Sequence, residues 1–212
     1  MTLQDNAQRI AGTALERAGE RPRFVIALAG PPGVGKSTLS EALLAAFDAH
    51  GEAASIVPMD GFHLDNAVLE DRGDLDRKGA PFTFDADGFA ALLHRLRGPS
   101  DRDIAIPVFD RLHDLSRAGG RVIPAGHRFL IAEGNYLLLE QAPWRDMADL
   151  FDMTVMLTAP AETLRARLIR RWIDHNLAEP DAIARAMHND IPNAELVLQA
   201  SRAADITLEN AS

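Results

Sequence analysis

The stretch Gly30-Pro31-Pro32-Gly33-Val34-Gly35-Lys36-Ser37 carries the clearest chemical signal in this chain, because it fits the pattern G-x-x-x-x-G-K-[ST]. Glycines at those positions let the backbone fold so that successive N–H groups point at phosphate oxygens. A helix beginning at Lys36 would add its N-terminal dipole and its free N–H groups. A lysine at that point reaches the β- and γ-phosphates of a nucleotide, and the next hydroxyl can ligate Mg²⁺. A chain of this length matches the pattern by accident on the order of once in a hundred. The loop also follows an apolar strand and precedes a helix, as the mechanism requires. Gly30, Gly33, Val34, Gly35, Lys36, Ser37 and Thr38 are therefore assigned to the nucleotide.

Two acids come next. Asp60 closes a predicted strand over 54–59, and Glu133 closes another that opens with Phe129-Leu130-Ile131-Ala132. An aspartate at a strand end beside a phosphate loop can accept the proton of a hydroxyl facing the γ-phosphate. A glutamate there can hold Mg²⁺ directly or through water. Lysine usage adds a hint. Of the 22 basic residues only Lys36 and Lys78 are lysine, and the other twenty are arginine. The two exceptions mark positions where a compact, rotatable ammonium is wanted.

The elements that must position these groups are legible as alternating strands and helices. Residues 3–18 carry apolar side chains at helical spacing. Phe24-Val25-Ile26-Ala27-Leu28-Ala29 is an unbroken apolar run, as in a strand buried on both faces of a parallel sheet. A helix over 36–50 and a strand over 54–59 follow, and then a polar stretch to about Lys78 that is too long for an ordinary connection. Helices are expected over 86–97, 161–175, 181–188 and 195–200. Further strands are expected over 104–109, 153–157 and 205–208, with a small hairpin or edge at 122–124. The pattern gives an α/β fold, a doubly wound parallel sheet of five strands. Right-handed crossovers bring Gly30, Asp60 and Glu133 to one sheet edge, where such sheets bind ligands. One domain spans 1–212, with an acceptor-binding region over about 60–125 and a lid and adenine-side region over about 161–192.

Composition excludes several functions. The chain has 212 residues, 47% hydrophobic and 25% charged, ordinary for a globular protein. No stretch approaches the roughly 20 apolar residues of a membrane span, so no membrane insertion is expected. The N-terminus lacks the basic start and apolar run of a signal peptide, which suits a cytoplasmic protein. With no cysteine, disulfides, thiolate metal sites and cysteine nucleophiles are excluded. A net charge of −9 argues against a nucleic-acid partner. A guanine-specific switch would carry Asn-Lys-x-Asp, and neither lysine follows an Asn.

From Met59-Asp60-Gly61-Phe62-His63 onward the sequence resembles the phosphoribulokinase, uridine kinase and pantothenate kinase family of P-loop kinases. Within that group it looks most like the bacterial kinases linked to sugar transport, the fructose transport system kinases. Arg77-Lys78-Gly79-Ala80-Pro81 and Glu133-Gly134 carry the same resemblance, which runs from Phe24 to Leu208. It implies a P-loop kinase with a five-stranded parallel sheet and a helical lid, using ATP and Mg²⁺ and acting on the hydroxyl of a small molecule. A functional link to a sugar transporter is part of that expectation. Asp60 matches the family's proton-accepting carboxylate, and Ser37 and Glu133 the metal position. His63, Arg77 and Lys78 would lie near the acceptor. Phe109-Asp110-Arg111-Leu112-His113 resembles the nucleoside-binding segment of uridine kinases with Phe in place of Tyr, which leaves Asp110, Arg111 and His113 for a polyol. Leu164 to Trp172 resembles the lid helix, with Arg167 set on the nucleotide and Arg171 named with Lys36 and Asp60 as catalytic. Asp190 to Asn193 matches a stretch near the adenine. Fructose is the first acceptor expected. A nucleoside or pantothenate kinase, or a nucleotide-dependent switch, are the alternatives.

Overall fold

Every residue of β1 (Phe24–Ala29) is buried, so this strand has a sheet neighbour on each edge and a helical layer on each face. The computed structural model describes residues 2–98 and 101–210. Strand β1 lies at the centre of a five-stranded sheet ordered β2-β5-β1-β6-β7, with β2 at Ala54–Pro58, β5 at Phe129–Gly134, β6 at Met153–Thr158 and β7 at Ile206–Glu209. All of its pairings are parallel. Alternation along β1 divides the core. Phe24, Ile26 and Leu28 pack with helices α1 (Leu3–Ala18), α2 (Lys36–Ala49) and α5 (Ala161–Asp174), while Val25, Ala27 and Ala29 pack on the opposite face with α4 (Ala86–Arg97). No helix among the described residues is long and apolar enough to cross a membrane.

Register decides what the sheet presents. Leu28 and Pro58 both pair with Glu133, so the carboxylate leaves the sheet between the phosphate loop and the end of β2. Asp60 lies two residues past β2, in a 3₁₀ turn over Met59–Phe62. The adjacent Gly61 has a steric reason: a Cβ there would meet the Pro107 carbonyl oxygen at 2.5 Å. This close approach seats the turn against β3 (Ile104–Asp110), which pairs antiparallel with β4 (Leu115–Ile123). The hairpin tip thereby reaches Asp60.

Three segments differ from the sequence-based expectation. The polar stretch 60–78 is not a loop. It holds α3 (Asn66–Arg72) and a 3₁₀ turn at Leu75–Arg77, and Asp65 caps α3 by accepting from the Ala67 N–H, a contact of about 1 kcal/mol. The small hairpin or edge expected at 122–124 is a hairpin, Val122 and Ile123 pairing with Ala105 and Ile104, but its second strand is nine residues of β4 and begins at Leu115. Residues 117–122 of this strand are exposed, so no period-two pattern announced it. After α6 (Glu179–Arg185) a π-turn over Ala186–Asp190 runs directly into α7 (Ile191–Ala200), four residues before the expected start.

Candidate active site

The phosphate loop is held open by Gly33 and Gly35, at φ 78° and 96°, conformations that favour glycine and aim the following N–H groups inward. Lys36 opens α2 and is buried. Its ammonium donates to the carbonyls of Gly30 (2.9 Å) and Pro31 (3.0 Å) and to Asn135 Oδ1 (2.5 Å). Burial pushes its pKa down to about 8. The nearby Glu133 and Asp60 charges oppose that shift, and Arg171 and Arg111 reinforce it. Lys36 thus stands where two acids and two arginines converge.

Glu133 is oriented by two serines. Ser37 Oγ donates to Oε1 at 2.7 Å, and Ser40 Oγ lies 3.0 Å from Oε2. The Ser40 hydroxyl, 1% exposed, also has the Ser37 carbonyl within 2.9 Å. Its single proton favours the charged oxygen, the stronger acceptor. Among the described residues no group of three or more His, Cys, Asp or Glu could hold a metal ion. Two hard oxygens beside a phosphate loop suit Mg²⁺, which keeps water and phosphate oxygens in its shell.

On the acceptor side, His63 Nδ1 lies 2.8 Å from the Asp60 carbonyl. A carbonyl only accepts, so Nδ1 carries the hydrogen and Nε2 is left as an acceptor. The imidazole lies between Phe84 and Phe109, ring centroids 4.1 and 4.4 Å away, and burial depresses its pKa. Asp60 Oδ2 faces Arg111 Nη2 at 3.3 Å. Lys78 Nζ donates to Asn66 Oδ1 (2.5 Å) and the Asp114 carbonyl (2.6 Å) and pairs with Asp114 Oδ2 (3.0 Å). An ammonium has three donors, so Lys78 braces the wall and has none left for a ligand.

The wall is tied to the lid side. The Asn189 side chain, on the π-turn, donates to the Lys78 carbonyl at 2.7 Å and accepts from Arg77 Nε and Asn193 Nδ2, each at 3.1 Å. Tyr136, fully buried, donates to the Gly79 carbonyl at 2.5 Å, and burial raises its phenol pKa. On α5, the Trp172 indole donates to Asp190 Oδ2 at 2.5 Å, and the guanidinium groups of Arg171 and Arg185 lie 5.6 and 5.3 Å from its ring.

A cleft of about 1280 Å³ gathers Gly33, Gly35, Lys36, Ser37, Thr38, Asp60, His63, Lys78, Arg111, Glu133, Arg171 and Asn193 from the expected set. The others stand outside it, each for a local reason. Gly30 lies against the Leu157 carbonyl and Val34 is core. Arg77 is held by Asn189, and Arg167 lies behind the loop, donating to the Gly33 carbonyl at 3.4 Å. Asp110 organises its own turn, accepting from the Leu112 and His113 N–H groups and pairing with His113 Nδ1 and Arg117. Asn193, expected beside the adenine, lines the cleft, and its amide also donates to Asn189 Oδ1. Sequence reasoning missed Ser40 and Asn135. Ser40 stands three residues after Ser37, on the same helix face, and Asn135 follows Glu133-Gly134 at the strand end, so both signals were available.

No family model matches the chain. It is 37% identical over 205 residues to a Schizosaccharomyces pombe protein named Putative uridine kinase C227.14, covering 92% of this chain and 87% of that one. It is 31% identical over 161 residues to the pantothenate kinase of Listeria monocytogenes, covering 74% of this chain and 52% of that one. Among solved structures, a putative fructose transport system kinase from Silicibacter sp. TM1040 superposes with a TM-score of 0.91 at 46% identity, covering 98% of this chain and 99% of that one.

Proposed function

We propose, from the premise that this chain belongs to the phosphoribulokinase, uridine kinase and pantothenate kinase family of P-loop kinases, that this small-molecule phosphotransferase moves the γ-phosphoryl group of ATP·Mg²⁺ onto a hydroxyl of a sugar-like polyol. The observation that carries the reading is the convergence of Lys36, Ser37, Glu133 and Asp60 on one cleft at the carboxyl end of the parallel sheet. The loop N–H groups and Lys36 hold the phosphates and offset the charge that develops on them. Ser37 and Glu133 would hold Mg²⁺, which would offset the negative charge of the nucleotide phosphates. Asp60 orients the acceptor hydroxyl and takes its proton as the acceptor oxygen bonds to the γ-phosphorus and the bond to the β,γ-bridging oxygen breaks. Arg171 faces the same cleft from the lid helix and adds positive charge on that side.

A polyol is favoured over a flat base by the state of the aromatic rings. Phe84 and Phe109 both pack on His63, Tyr136 is buried, and Trp172 has a guanidinium within 6 Å twice over, at 5.6 and 5.3 Å. A base would want an open ring face, and each ring that lines the cleft, Phe84, Phe109 and Trp172, already has a side chain of the protein packed against it. The named relatives support a nucleoside or pantothenate acceptor as the second reading. An ADP-release assay over hexoses, pentoses, polyols, nucleosides and pantothenate, with fructose first, separates the two. Turnover of uridine or pantothenate with silence across the sugars overturns the polyol and leaves the kinase standing.

A further inference from the structure

Arg111 occupies an unusual place in this cleft. It stands at the tip of the β3–β4 hairpin, and two features fix it there. Gly61 seats the Asp60 turn on the Pro107 backbone, and Asp110 binds the Leu112 and His113 N–H groups so that the backbone around Arg111 is held. Its side chain is 61% exposed. Its one partner among the described residues is Asp60 Oδ2, through a single contact of 3.3 Å. A guanidinium carries five N–H donors, so most of its capacity faces the cleft unused.

The neighbouring charges are already engaged. Lys78 has its three donors taken by Asn66 and Asp114, Asp114 Oδ2 takes Lys78 and Asn66, and Asp110 is held by His113, Arg117 and its own turn. Among the described residues Asp60 is the one acid that pairs with Arg111, and it is also the acid that an acceptor hydroxyl must meet. Arg111 meets only Oδ2 of Asp60, so Oδ1 stays open to an acceptor hydroxyl while the guanidinium keeps its other donors for a second group of the same acceptor. A planar fork of donors is matched by the two oxygens of a carboxylate or phosphate, bound bidentately. A neutral polyol would leave that fork unmatched, and sites discriminate strongly against ligands that leave their polar groups unpaired.

Resting on the kinase reading above, we infer that the acceptor itself carries an anionic group, a carboxylate or a phosphate close to the reacting hydroxyl, and that Arg111 selects it. Arg111 holds Asp60 Oδ2 in the empty cleft. The anion of the acceptor takes the guanidinium's other donors, and the same binding event brings the hydroxyl to the carboxylate that takes its proton. A neutral hydroxyl compound does only half of this, because it offers Arg111 no anion.

The test is calorimetric titration of the full chain saturated with AMP-PNP·Mg²⁺, which fills the phosphate loop so that no added anion can bind there. The probes are D-glycerate, D-ribonate and D-gluconate as carboxylates, ribulose 5-phosphate and fructose 6-phosphate as phosphates, and glycerol, ribose, glucose and fructose as neutral counterparts. At least one anion should bind about tenfold or more tightly than its neutral counterpart, and Arg111→Gln should remove that advantage while keeping the melting temperature and the AMP-PNP affinity. The carboxylate and phosphate arms tell which anion is read. Neutral counterparts that bind as well as the anions, no anion binding above that of chloride, or full anion binding in Arg111→Gln would each overturn the inference. The kinase reading fails separately: Arg111-dependent anion binding with no ADP released from ATP on any probe would sustain the selection and sink the transfer. Turnover of neutral fructose that Arg111→Gln leaves intact would do the reverse.

Discussion

The Lys36 ammonium lies 2.5 Å from the Asn135 amide oxygen, across the gap between the phosphate loop and the strand that carries Glu133. With the Gly30 and Pro31 carbonyls, Asn135 takes up all three donors of the lysine, so phosphate must displace neutral oxygens to bind. Lys36→Ala should abolish turnover with little change in fold or melting. Lys36→Arg should fail too, because a planar fork does not replace a point charge in that space. Asn135→Asp should weaken ATP binding more than Asn135→Ala, since a carboxylate would compete with phosphate for the ammonium. Calorimetric ATP titration of the four variants checks this, and full activity in Lys36→Arg would remove the role given to Lys36.

The pKa of Lys36 predicts a pH dependence. Burial lowers it to about 8 in the empty protein, and anionic phosphates favour the charged form, which moves it back up. Above pH 8 the empty lysine is mainly neutral and the nucleotide-bound lysine charged, so binding takes up a proton. ATP affinity should therefore fall as pH rises above about 8, by at most about tenfold per unit. Titrations in buffers of different ionisation enthalpy measure the uptake directly, and Lys36→Ala should lose both effects. A flat ATP affinity from pH 7 to 10 in the unmutated protein would contradict the burial argument.

Asp60 and Glu133 should fail in different ways. Asp60→Asn should cut phosphoryl transfer by about 10²-fold or more with ATP affinity nearly intact, because it removes the proton acceptor alone. Glu133→Gln should raise the Mg²⁺ requirement. Ser40→Ala should do so more weakly, since Ser40 only orients Glu133 Oε2. Steady-state rates against Mg²⁺ concentration, with Mn²⁺ affinity read by electron paramagnetic resonance, separate the three. Loss of ATP binding in Asp60→Asn would show that the base assignment is wrong.

Much of this architecture was legible from the chain. The run Phe24 to Ala29 has no polar residue, so its burial on both faces followed, and the strand's end fixed where the phosphate loop begins. Asp60 and Glu133 were found by the same reasoning, since each closes an apolar run beside that loop. Segments without such a pattern were not found. Most of β4 is exposed and carries Gly119-Gly120, so it shows no alternation, and α3 is fixed by the Asp65 cap more than by an apolar stripe.

The sequence by itself determined the chemistry that lies within a contiguous stretch: the phosphate loop, the strand-end acids and the parallel order that brings them to one edge. Only the tertiary structure decided which candidate side chains remain open to a ligand. Lys78 looked like a substrate cation, yet its three acceptors come from Asn66 and Asp114, 12 and 36 residues away. Asn189 grips a carbonyl 111 residues distant, and Arg111 meets Asp60 across 51. A side chain's residue type states how many hydrogen bonds it can make. Which of them the protein itself has already satisfied depends on partners that only the folded packing brings within 3 Å or so of one another.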